Sequence, residues 1–107
     1  MIKVIKNENR MMEKTIKEWA INMIRTYPWL TIKFEYSKKF GVILIDFVYP
    51  QQYGTDENFN RDALTFNDRM CEIYGDDAPL FTNNERLFKL SDEAQVICIK
   101  SYSSLKN

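Results

Sequence analysis

Nine acidic residues crowd into positions 41–85 of this chain, against two arginines in the same stretch. Carboxylates can act as general acids or bases, hold a cation, or steer a basic partner. The adjacent pairs Asp56-Glu57, Asp76-Asp77 and Asp92-Glu93 are the candidates for the first two roles. Each sits where a helix end or turn is expected, and adjacent acids there are usually solvated. Histidine is absent, which removes the commonest general base and the commonest metal ligand together. There is no Ser/His or Cys/His set, no phosphate-cradling glycine loop and no Cys-x-x-Cys spacing. The expectation is a protein without catalytic, cofactor-binding or metal-ligating residues, hence not an enzyme.

The steering role fits better. Asp56, Glu57, Asp62, Asp68, Glu72, Asp76, Asp77 and Glu85 all fall in or around one expected helix and its exits. Asp68 and Glu72 are four apart, and Asp76 extends that line past the helix end, where the dipole disfavours acids. Tyr49, Tyr53 and Phe59 lie near the other end of the same segment. Rings anchor an interface and acids steer a basic partner to it. The expected partner-binding residues are therefore Tyr53 and these eight acids. The plain alternative is a solvated helix face that happens to be acidic.

Asp46 interrupts the apolar run "VILIDFVY". A buried acid needs a partner or a raised pKa, so Asp46 is either a site carboxylate or a residue that meets water or Lys33 on the strand's outer face. Residues 1–40 hold nine Lys/Arg and four Asp/Glu. Lys3, Lys6, Arg10, Lys14, Lys17 and Arg25 could contact phosphate, but Glu8, Glu13 and Glu18 are interleaved with them. The net charge of the chain is zero, and both facts disfavour nucleic acid as the partner. Cys71 and Cys98 sit in apolar contexts and read as small buried hydrophobes.

The elements that must position these residues follow from periodicity. Apolar residues at 3–4 spacing predict a helix from about Glu8 to Arg25, stopped by Pro28; residues 2–6 read as a short strand or leader. "LTIKFEYS" alternates as a half-buried strand, and "VILIDFVY" is apolar enough for a central one. The two predict a hairpin. A second helix runs from Asp56 or Phe59 to Tyr74, ended by Gly75. "RLFKL" and "QVICIKSY" read as further strands, with "PLFTNN" a possible short extra one. The order α-β-β-α-β-β predicts an α+β fold, a two-layer sandwich with an antiparallel sheet of about four strands and two helices on one face. At 107 residues this is a single domain, residues 1–107, frayed at 1–7 and 103–107. The N-terminus has no apolar signal core and no run reaches a membrane span, so a cytoplasmic location and no membrane are expected.

The small size, the missing catalytic set, the acidic middle and the run "YGDDAPLFTNNERLFKLS" resemble small bacterial immunity proteins. These neutralise the toxins of contact-dependent growth inhibition and related systems. The resemblance implies a cognate partner, the C-terminal domain of a toxin, often a basic nuclease, blocked at its active site or substrate approach. The acidic segment would then face the toxin. Two other functions are weighed against this one: a nucleic-acid-associated accessory protein of a phage or mobile element using the basic first helix, and a small-molecule sensor or enzyme with a pocket between sheet and helices, near Asp46.

Overall fold

The computed structural model describes residues 2–82 and 90–99. Helix α1 spans Ile2–Thr26, strands β1 and β2 span Thr31–Ser37 and Val42–Val48, helix α2 spans Glu57–Tyr74, and strands β3 and β4 span Leu80–Phe81 and Gln95–Cys98. The α+β class and the order of elements are as expected. Helix α1 starts at Ile2 rather than Glu8, so residues 2–6 are neither strand nor leader. Nothing in "IKVIKNE" breaks a helix, and each added residue gains a hydrogen bond once the turn is nucleated. The strand expected at "RLFKL" and the tail at 103–107 lie outside the described residues, as does Glu85.

The four strands form one sheet in the order β3-β2-β1-β4. β1 pairs antiparallel with β2, Phe34 opposite Ile45, and antiparallel with β4, Ile32 opposite Ile97. β3, from the run "PLFTNN", pairs parallel with β2. The sheet is therefore mixed rather than purely antiparallel. α2 supplies the reason: it carries the chain back along the sheet, so β3 enters in the same direction as β2, as a crossover helix requires.

Side chains alternate across a strand. Ile32 and Phe34, Ile43, Ile45 and Phe47, and Ile97 share one buried cluster with Met12, Ile16, Ala20, Met23 and Ile24 of α1 and Phe59, Ala63, Phe66 and Met70 of α2. Both helices thus lie on one face. They run antiparallel, because Trp19 stacks on Phe66 while Tyr27, just beyond the end of α1, reaches Asp62 near the start of α2. The opposite face carries Lys33, Glu35, Leu44 and Asp46. There the Glu35 carboxylate accepts from both the backbone N–H (2.8 Å) and the hydroxyl of Ser91. That contact ties the turn before β4 to β1.

Candidate functional site

Two turns place the site. The backbone N–H of Leu30 donates to the carbonyl of Tyr27 at 2.9 Å, closing a turn with Pro28 and Trp29 at its corner. Proline suits the second position of such a turn because its φ is preset. After β2, Pro50 leads into a 3₁₀ turn over Gln51–Tyr53. The N–H of Tyr53 donates to the Pro50 carbonyl at 3.0 Å. Thr31 and Val48 are opposite one another in the sheet, so the two turns meet at the same end of it.

There they join their rings. Trp29 and Tyr53 stack with centroids 4.4 Å apart and planes 3° from parallel. Tyr49 stands edge-on to Trp29 at 6.1 Å. Beneath them Phe59, 2% exposed, meets Tyr27, Trp29, Phe47 and Tyr49 edge-to-face. Such edge and offset contacts match the positive rim of one ring to the negative face of another. Trp29 and Tyr53 remain half-buried and Tyr49 is exposed, so the pile presents an aromatic platform to solvent. Gly54 fits close against it: a Cβ there would lie 3.3 Å from Tyr49 Cε1.

The acids expected to work with Tyr53 divide into groups. Asp56 caps α2, its Oδ1 accepting the Phe59 N–H at 2.8 Å. Asp62 Oδ2 accepts the Tyr27 hydroxyl at 2.6 Å. Both therefore have structural work, although Asp62 stays exposed. Glu57 is exposed in the first turn of α2. Asp68 and Glu72 are exposed on α2, and Asp76 and Asp77 lie in the 3₁₀ turn Gly75–Asp77. An 18-residue helix is ~27 Å long, so the Asp76-Asp77 pair is remote from Tyr53. Asp56 and Glu57 follow Tyr53 within four residues at the start of α2, while Asp62, Asp68 and Glu72 are spread along the helix.

Trp29, the centre of the platform, carries no signal of its own in the sequence beyond "YPWL", an aromatic pair split by a proline at a helix end. Tyr27 is buried, and its hydroxyl is pushed up to about 12 by burial first, then by the hydrogen bond to Asp62 and the charges of Asp62 and Asp56, with Arg61 opposing.

No family model, curated protein or solved structure matches the chain. The reading of the site therefore rests on its own chemistry. Among the described residues no group of three or more His, Cys, Asp or Glu could hold a metal ion, and no helix is long and apolar enough to cross a membrane.

Asp46 proves buried, not water-facing. It sits opposite Lys33 in the β1–β2 register, and its Oδ1 accepts from the buried Thr82 hydroxyl at 3.3 Å. A pocket between the sheet and the helices would not hold Asp46. A cleft of about 270 Å³ opens between α1 and α2, lined by Trp19, Met23, Asp62, Phe66 and Arg69 among others. Asp46 points to the opposite face of the sheet, because it alternates with the helix-facing Ile45 and Phe47. Cys71 is exposed and Cys98 half-buried, so neither is the buried hydrophobe expected. Cys71 falls on the outer side of α2, roughly 100° from the Met70 direction.

Proposed function

We propose that this domain binds another protein through the aromatic platform of Trp29, Tyr49 and Tyr53, with the acids along α2 steering a basic partner to it. The observation that carries this reading is the stacked Trp29–Tyr53 pair, half exposed and followed in the chain by Asp56 and Glu57. Rigid rings lose little side-chain freedom on contact and dominate interface energy. A row of acids raises the encounter rate with a positive surface. The partner we favour is the toxin domain of a bacterial competition system, with this chain acting as its immunity protein, in keeping with the resemblance of the run 74–91.

The test is binding to, and protection from, a toxin domain encoded beside this chain. Calorimetry with the purified toxin domain should show a 1:1 complex. Tyr53→Ala should weaken it at least tenfold, and the joint change of Glu72, Asp76 and Asp77 to Lys should slow association and flatten its salt dependence. Unchanged affinity for both variants would overturn the assigned surface. Failure of the chain to relieve growth arrest by that toxin would overturn the immunity reading.

A further inference from the structure

A second site, independent of the protein-binding reading, lies between the helices. We propose that the α1–α2 cleft binds a small aromatic acid that carries a hydrogen-bond donor opposite its acid group. The size comes first. The cleft holds about 270 Å³, just below the ~300–1,000 Å³ of ordinary ligand pockets, so it suits one substituted ring and not a nucleotide-sized cofactor. Its floor is apolar, made by Trp19, Met23 and Phe66. Trp19 and Phe66 close each other's faces, with centroids 3.9 Å apart and planes within 6°. A ligand ring in the cleft packs on what this stack leaves open, an edge or an outer face, and both are favourable contacts for an aromatic ring.

The polar rim sets the direction. Arg69 lines the cleft, and no described carboxylate forms an ion pair with it. Its guanidinium offers five donors in a fork that matches a carboxylate. The opposite end carries the Asp62 carboxylate and hydroxyl acceptors, beside Asn22, whose side-chain amide both donates and accepts. Asp62 already takes the Tyr27 hydroxyl on Oδ2, which leaves Oδ1 to accept. The Thr26 hydroxyl donates to the Asn22 carbonyl at 3.1 Å and the Thr65 hydroxyl to the Arg61 carbonyl at 2.8 Å. With their protons committed, both threonines present lone pairs. Asp62 and Arg69 stand two turns apart on one side of α2, ~10.5 Å along the axis. A ring with an acid arm at one end and a hydroxyl at the other can span that interval when the long Arg69 side chain reaches inward. An acid group at the Asp62 end would be repelled, so the orientation is unique.

The test uses 4-hydroxyphenylacetate as the probe, followed by calorimetry and by amide and indole shifts in ¹H–¹⁵N spectra of the whole chain. Saturable binding is expected with Kd between about 10 µM and 1 mM, in line with a ligand of this size. The largest shifts should fall at Trp19, Phe66 and Arg69. Tyramine lacks the acid and should bind at least tenfold more weakly. Phenylacetate lacks the donor and should bind at least threefold more weakly. Arg69→Gln, at an exposed position, should keep its melting temperature and lose at least tenfold in affinity. Absence of saturable shifts at the cleft would overturn the proposal, as would tyramine binding equally well, or an Arg69→Gln variant that binds as the parent does.

Discussion

The Tyr27 hydroxyl donates to Asp62 Oδ2 at 2.6 Å, joining residues 35 apart in the chain across the seam between the two helices. The same Tyr27 ring lies 5.5 Å from Trp29 and 5.8 Å from Phe59. One residue thus connects the aromatic platform to the interhelical cleft.

Tyr27→Phe removes the hydroxyl and leaves the ring. The loss should be about 1–2 kcal/mol, the range for a hydrogen bond to a charged but solvent-accessible acceptor. Urea midpoints at pH 7 measure it.

The same group makes stability depend on alkaline pH. Tyr27 titrates at about 12 when folded, against an ordinary value of 10.0. The folded state holds this proton more tightly, so its contribution is complete below pH 10 and is lost as pH rises from 10 to 12. Urea midpoints for the parent should fall across that window. Those for Tyr27→Phe should fall less steeply. Parallel curves would show that Tyr27 is not the titrating group.

Asp56 and Asp76 are both acids at an end of α2, with opposite expected effects. Asp56→Ala removes the N-cap bond to Phe59 and should cost about 1 kcal/mol. Asp76→Lys, just past the C-terminal end, should leave thermal stability unchanged or slightly raised, since the dipole there favours a cation. Paired melting curves decide it.

Gly75 holds φ at +57° and ψ at −123°, and a Cβ added there would have no neighbour within 4 Å. Gly75→Ala therefore suffers only in its backbone. The expected loss is about 1–3 kcal/mol, read from the chemical denaturation midpoint.

Thr82→Val keeps the shape of a buried side chain and removes the donor to Asp46. The expected cost is about 1 kcal/mol. Equal stability would mean that this 3.3 Å contact contributes little beside the other interactions of Asp46.

Much of the secondary structure could be read directly from the chain. β1 follows from strict alternation in "TIKFEYS", and α2 from Phe59, Ala63, Phe66 and Met70 with an acid cap before and a glycine after. These are local signals: spacing, caps and the fixed φ of proline act within a few residues. Pro28 and Pro50 likewise announced turns, though not that the turns would meet.

What the tertiary structure decided is pairwise and distant. The parallel pairing of β3 depends on where α2 delivers the chain. The hydrogen bond from Thr82 to Asp46 depends on the chain arriving there just past β3. Trp29 finds Tyr53 only because β1 and β2 bring two loops to one end of the sheet, and Asp62 anchors the Tyr27 hydroxyl only because Tyr27 lies across from it. Periodicity tells which side of an element is apolar, since that is a property of one segment; which rings and carboxylates then touch is a property of the packed whole, settled by shape and by the need to satisfy every polar atom that packing encloses.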